Sequence, residues 1–344
     1  MVQTAFDTEP SLETKSEREL HLSAFRFMLL ARMLDEKFAA LSRSSKINGG
    51  VFLGKGQEAL SAAVGVSLQK GDVFAPLIRD AAGRLAFGET VLDSVRTYLG
   101  SPLGPMRGRD GNVHRGNPRE GLLPMISHLS AMISVVNGML LARRFLKKTG
   151  TVGATCIGDG ATSTGSFHEA LNQAAVEKLP LILVVADNQY AYSTPTSRQF
   201  ACESLADKAI GYGVDVHTVD GTDFPACMKV VGQAVARARK GGGPQMIVAN
   251  LLRLCGHGEH DPADYVDPKL KSSPLGRDCL KVAEEFLLRQ KWITASQIAG
   301  MRDEIVHEIE TAVAQVQREP DPDPFTEEWH AIASRHLSEG HSEP

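Results

Sequence analysis

Asp159 and Asn188 are the residues of this chain whose types and spacing most directly imply chemistry. Asp159 stands between two glycines in Gly158-Asp159-Gly160, and Asn188 follows it by 29 positions, within Asp187-Asn188-Gln189-Tyr190. A carboxylate and a side-chain amide offer hard oxygen donors of the kind a divalent ion takes. Magnesium in particular is usually completed by phosphate oxygens and not by an all-protein cage. The two residues therefore point to a metal-bridged diphosphate, if the fold brings them together. An isolated glycine–aspartate turn is a common feature with no chemistry attached, so the elements around it decide.

Those elements read as strand, tight glycine turn, helix, strand. Thr151 to Ile157 supplies one apolar strand and Leu181 to Ala186 another, while Phe167, Leu171, Ala174 and Ala175 recur between them at helical spacing. A right-handed crossover lays such strands side by side with both carboxyl ends at one sheet edge. Open α/β sheets hold their ligands at that edge. Backbone amides after Gly160, near the helix N-terminus, favour an anion there.

The alternation of helices and strands continues from about 51 to 255. Further strands are expected at Asp215 to Val219 and Gln245 to Leu252, with a helix through Val230, Val231 and Val235 between them. This pattern specifies an α/β fold with a doubly wound, mostly parallel sheet. Leu22, Phe25, Leu29 and Met33 mark an opening helix that ends before Asn48-Gly49-Gly50. Ile298, Met301, Ile305, Ile309, Val313 and Val316 mark a closing helix, stopped by Pro320-Asp321-Pro322-Asp323-Pro324. The simplest organisation is one α/β domain over 18–330, with its core at about 51–260 and helical extensions at both ends. A frayed arm (1–17) and a tail (331–344) flank it.

Composition agrees with a cytoplasmic enzyme. A chain of 344 residues, 42% hydrophobic, can bury a sizeable core, and a formal net charge of −4 argues against nucleic acid as a partner. No apolar run approaches the roughly eighteen residues of a membrane span. The opening MVQTAFDTEPSLETKSE is polar and acidic, unlike a signal or transit peptide. Cysteines at 156, 202, 227, 255 and 279 form no CxxC pair and read as reduced core thiols.

The run GDGATSTGSFHEALNQAAVEKLPLILVVADNQYAYSTPTS, from Gly158 to Ser197, resembles the thiamine-diphosphate motif of the alpha subunits of 2-oxo acid dehydrogenase complexes. The resemblance extends from Arg32-Met33-Leu34-Asp35 to the region of Pro320, with several motifs in family order. It implies a thiamine-diphosphate-binding fold. It also implies a Mg2+ site in which Asp159 and Asn188 bind by side chain and Tyr190 by its backbone carbonyl, with Gly160 and Ala161 beside the cofactor. Asp187 stands where the family usually has the first Asn of a pair.

Other segments match in the same way. Gly54-Lys55-Gly56-Gln57-Glu58-Ala59, Gly71-Asp72 and Arg79-Asp80 resemble segments that make Arg79 the grip on the diphosphate; an ion pair with Asp80 is the plain alternative. Ile78 takes the place of the usual tyrosine. Gly108-Arg109-Asp110-Gly111-Asn112-Val113-His114 is similar to a glycine-rich segment ahead of a histidine, which makes His114 a catalytic candidate, with a solvated turn as the alternative. In Ser127-His128-Leu129-Ser130, Ser127 would meet the aminopyrimidine mainly through its backbone, and Leu129 would wedge the two cofactor rings into their bent form. Without the match Leu129 would read as a core leucine.

Arg253 to Asp261 resembles the loop whose first histidine reaches the diphosphate and the reacting centre, making His257 catalytic and cofactor-binding. An imidazole can donate a hydrogen bond or a proton near neutral pH. His260 is not expected to hold a metal. Glu259 and Asp261 stand where kinase-regulated animal relatives carry serines, so control by phosphorylation of this loop is not expected.

The implied activity is oxidative decarboxylation of a 2-oxo acid, in which the cofactor accepts the electron pair, followed by acyl transfer to a lipoyl group on an acyltransferase component. The implied assembly has two alpha and two beta chains, and the beta subunit supplies the glutamate that activates the cofactor. The Ser193-Thr194-Pro195-Thr196-Ser197 run and the proline-rich tail lean towards a branched-chain 2-oxo acid, with pyruvate open because its enzymes share the same metal motif. An acetoin dehydrogenase alpha subunit and a non-catalytic scaffold are the alternatives. A Rossmann dehydrogenase is disfavoured, since no GxGxxG opens a helix after a first strand.

Overall fold

Continuous apolar runs flanked by turn residues form strands covered on both faces, and the sheet is built from them. The computed structural model describes residues 16–323. Residues 1–15 of the expected arm, Pro324 and the 331–344 tail lie outside the described residues. Ser16 and Glu17 do not belong to an arm. Ser16 caps the first helix, with Glu19 reaching back to its N–H as a capping box.

The helices in chain order are α1 (Glu17–Arg43), α2 (Glu58–Ser67), α3 (Ala81–Phe87), α4 (Val91–Tyr98), α5 (Ala131–Phe145), α6 (Gly165–Val176), α7 (Ala206–Gly211), α8 (Phe224–Arg239), α9 (Pro268–Lys271), α10 (Cys279–Arg289) and α11 (Ala295–Val316). The strands are β1 (Val73–Ala75), β2 (Gly153–Gly158), β3 (Leu181–Asp187), β4 (Tyr190–Ala191), β5 (Thr194–Pro195), β6 (Asp215–Asp220) and β7 (Gln245–Asn250). Five of them make a parallel sheet in the order β1-β2-β3-β7-β6, and β4 and β5 form a small antiparallel ribbon.

Alternate strand residues feed two cores, as a doubly wound sheet requires. Ala154, Cys156, Ile182, Val184, Ile247 and Ala249 face the helices α1, α2, α8, α10 and α11. Ile157, Leu181, Leu183, Val185, Met246 and Val248 face α5, α6 and α7. The opening and closing helices pack into the first core through Phe25, Leu29, Ile305 and Ile309. Among the described residues no helix is long and apolar enough to cross a membrane.

The tight turn after Gly158 is a 3-10 turn over Asp159–Ser163, and α6 starts at Gly165. The edge strand β1 had no sequence signal, because three residues are too few to show a period. β2 pairs with β3 in the expected parallel manner, with Gly158 opposite Ala186.

Candidate active site

The register of β2 and β3 brings the two metal-donor candidates to one edge. Gly158 lies opposite Ala186, so Asp159 leaves its strand level with Asp187, one residue before Asn188. Asp159 is buried, and its Oδ2 accepts a 2.8 Å hydrogen bond from Gln199 Nε2. Burial raises its pKa, while the Gln199 bond, nearby backbone N–H groups and the charge of Arg253 pull it down. Gly160 has to be a glycine here. A Cβ would sit 2.5 Å from the Cβ of Ala191, so its absence lets the turn seat against β4.

Asn188 is also buried, and its Nδ2 donates to Gln57 Oε1 at 2.7 Å. That bond turns its carbonyl oxygen the other way, where it accepts only a long 3.4 Å bond from the Tyr190 N–H. The Tyr190 carbonyl accepts from Arg253 Nη1 at 3.3 Å and keeps a second lone pair. Asp187 is raised to about 6 by burial and by the Asp159 charge. An acid at 187, where the family usually has Asn, therefore interacts electrostatically with Asp159.

This donor set fits a hard cation that shares a ligand. Asp159, Asn188 and the Tyr190 carbonyl supply oxygen only and too few donors for an octahedron, leaving positions for phosphate oxygens and water. Gln199 Oε1, beside Asp159, is buried and has no partner, an acceptor whose need a hydrated ion would meet. Among the described residues no group of three or more His, Cys, Asp or Glu could hold a metal by itself.

Arg79 is the cationic counterpart. It does not pair with Asp80, whose Oδ2 accepts instead from the Leu77 N–H at 2.7 Å. Arg79 is buried and donates to the carbonyls of Leu53 (2.8 Å) and His257 (2.7 Å). Burial, then the nearby Arg253, lowers it to about 10, which leaves it charged at neutral pH. Its hydrogen-bond partners are neutral acceptors, so its charge is available to an anion.

His257 stands 3.5 Å from Arg79 by its Nδ1, with its ring between Tyr192 (centroids 4.3 Å apart) and Phe52 (5.4 Å). Burial, Arg79 and Arg253 lower its pKa to about 4, so the ring is neutral at pH 7. It can donate or accept a hydrogen bond there, but it is not a proton-donating imidazolium in this state. Asp261 fixes the loop: its Oδ2 accepts from the His257 N–H at 2.6 Å and from Tyr265, and its Oδ1 from the Ala263 N–H. A serine at 261 could not make this set of bonds.

The remaining expected residues form the neighbouring wall. Ser130 donates to the Ala161 carbonyl at 2.8 Å, and Ser166 to the Leu129 carbonyl at 3.2 Å, holding the Ser127–Ser130 segment over the turn after β2. Leu129 is 51% exposed, not a core leucine. Ser127 is placed by its side chain as well as its backbone, since its Oγ lies 3.4 Å from His114 Nε2.

The comparisons decide the family. Residues 25–325 match the model for the dehydrogenase E1 component. The chain belongs to the dehydrogenase E1 component family. Its relatives include the alpha subunit of an acetoin:2,6-dichlorophenolindophenol oxidoreductase from Cupriavidus necator, 32% identical over 93% of this chain and 96% of the relative. The 2-oxoisovalerate dehydrogenase alpha subunit of Bacillus subtilis is 33% identical over 86% of this chain and 90% of the relative. The pyruvate dehydrogenase E1 alpha subunit of Porphyra purpurea is 29% identical over 88% and 89%. The chain is thus of the alpha-subunit type of the E1 oxidoreductases, a family dependent on thiamine diphosphate.

Several residues of this E1 site carried no sequence signal of their role. Gln199 reaches Asp159 from forty positions away, and Arg253 clamps the carbonyls of Tyr190 and Tyr192. Asp35 accepts a 2.7 Å bond from the Gly54 N–H, and Gly54 packs on the Arg79 carbonyl. Burial raises Asp35 to about 7. An acid with a raised folded pKa favours the fold most below its unfolded value near 3.8, and that contribution is lost as pH rises through 7. Between pH 5.5 and 8.5 this group is expected to cost about 2 kcal/mol. Asp35→Asn, which keeps an acceptor for Gly54, should abolish that part of the pH dependence. Urea midpoints at the two pH values check it, and an equal slope in both proteins would refute it.

Proposed function

We propose that this E1 alpha chain binds thiamine diphosphate through Mg2+, with Asp159, Asn188 and the Tyr190 carbonyl as its ligands, and works on a 2-oxo acid. What supports the reading is the parallel register that brings Asp159 and Asn188 to one sheet edge, the acceptor oxygens left on Asn188 and Tyr190, and an arginine whose bonded acceptors are neutral. Asp159 and Asn188 would hold the ion, Arg79 the diphosphate, and Gly160 and Ala161 the turn beneath it. The bound cofactor would supply the electron sink for decarboxylation. A diphosphate at Arg79 would offset the charge that now depresses His257, raising its capacity to give a proton near the reacting carbon.

Leu129 and Tyr192 are half-exposed beside the site, which supports a cofactor walled by a second chain. We read that chain as the beta subunit, in an assembly of two alpha and two beta, with a lipoyl acyltransferase taking the acyl group. Five free cysteines speak for a reducing, cytoplasmic setting.

Phe52 and Tyr192 around His257 give the site an apolar, aromatic side, which suits a branched aliphatic 2-oxo acid better than a small polar substrate. The purified alpha–beta pair is expected to reduce a dye acceptor with 3-methyl-2-oxobutanoate at a kcat/KM at least about tenfold above that with acetoin, about 1.4 kcal/mol of discrimination. A preference for acetoin would reassign the substrate. No turnover on either or on pyruvate, together with no heat on titration with thiamine diphosphate and Mg2+, would leave only a scaffold role.

A further inference from the structure

Asp110, His114 and Ser127 form a chain of polar contacts at the rim of the site that the metal and diphosphate reading leaves unused. Asp110 Oδ2 lies 2.6 Å from His114 Nδ1, and His114 Nε2 lies 3.4 Å from Ser127 Oγ. A carboxylate only accepts, so this contact puts the proton of a neutral ring on Nδ1 and leaves the lone pair on Nε2. The other Asp110 oxygen accepts from the Asn112 N–H at 2.7 Å, and Asn112 in turn accepts from the Val113 N–H at 2.8 Å. The carboxylate is therefore anchored to the backbone of its own turn and does not swing with the imidazole. A Cβ on Gly49 would meet the Gly111 carbonyl at 3.2 Å, so the turn rests on the loop before residue 50. Ser127 opens the segment that Ser130 ties to Ala161, next to Asp159. Both side chains of the pair keep about a third of their surface exposed (29% and 32%), so a ligand can reach the ring.

We infer that Asp110 is a positioning residue, which holds His114 as the Nδ1–H tautomer so that Nε2 faces the cofactor site as a proton acceptor. A proton taken by Nε2 makes an imidazolium whose charge lies against the Asp110 carboxylate, and the same proton is returned from Nε2 in a later step. No oxidant or further reactant enters. The inference rests on the reading of His114 as part of the active site. A partly exposed histidine–carboxylate pair four residues apart would be worth little to the fold, and a merely structural pair would leave tautomer and turnover uncoupled.

The test uses the assembled alpha–beta enzyme with 15N-labelled histidine, His114 being assigned by its loss in H114Q. The wild-type ring is expected as the Nδ1–H tautomer. In Asp110→Asn the amide can donate to Nδ1, so the ring should switch to Nε2–H. That switch should lower kcat by about 10²–10⁴-fold, the loss seen when an Asp–His pair is forced into the wrong tautomer, with KM within about threefold. Asp110→Glu should recover part of kcat. A wild-type Nε2–H ring overturns the inference, as does a D110N enzyme at full kcat while H114Q is inactive. H114Q at wild-type turnover overturns it together with the catalytic reading of His114.

Discussion

Asp159→Asn in the assembled enzyme is expected to lower turnover by about a thousandfold or more, equivalent to about 4 kcal/mol, and to remove the heat of thiamine diphosphate binding. The substitution is close to isosteric, and its carbonyl still accepts the hydrogen bond that Gln199 gives to Asp159. What it removes is the charge that a hard cation needs. Because burial already disfavours the Asp159 carboxylate, the neutral amide should leave the thermal midpoint of the cofactor-free protein unchanged or higher. Retained stability with lost binding separates a ligand from a structural aspartate. Loss of the midpoint together with binding would instead make Asp159 a folding residue.

The second large effect is on stability. The side chain of Glu89 is buried between Arg84 and Arg115, receiving two bonds from each. Burial alone would raise its pKa, but the charges of Arg115 and Arg84 outweigh it and hold the carboxyl at about 2. A depressed carboxyl stabilises the fold above its unfolded pKa near 4.5, and that stability is lost as pH falls from there toward 2. Glu89→Ala leaves two buried guanidinium groups without their counter-charge, and Arg115 Nη1 already lacks a partner. A loss of about 3–5 kcal/mol is expected, as for a buried pair stripped of one member. Urea denaturation at pH 7 checks it, and a loss below about 1 kcal/mol would show that water reaches the cluster.

The sequence was legible where a feature repeats along the chain. β2, β3 and β7 are apolar runs bounded by turns, and α11 carries a three-and-four period, so each was readable to within a few residues. That Asp159 and Asn188 end at one sheet edge was readable because a crossover through a helix makes the two strands parallel. β1 is too short for any period, and the glycine turn after β2 showed in the sequence without its 3-10 form. The partners Gln57, Gln199 and Arg253 depend on contacts between distant segments, which no local pattern encodes. The same holds for the cluster of Arg84, Glu89 and Arg115: its charges look like surface residues until the fold buries them. Asp261 was visible only as a departure from serine, and its reason is the cap it places on the His257 loop.

A crystal structure of the alpha–beta assembly grown with thiamine diphosphate and Mg2+ tests the central claim most directly. One ion is expected, with Asp159 Oδ1 or Oδ2, Asn188 Oδ1 and the Tyr190 carbonyl each at about 2.0–2.1 Å and diphosphate oxygens completing an octahedron. An ion held elsewhere, or a diphosphate bound without Asp159 and Asn188 on the same cation, would contradict the account.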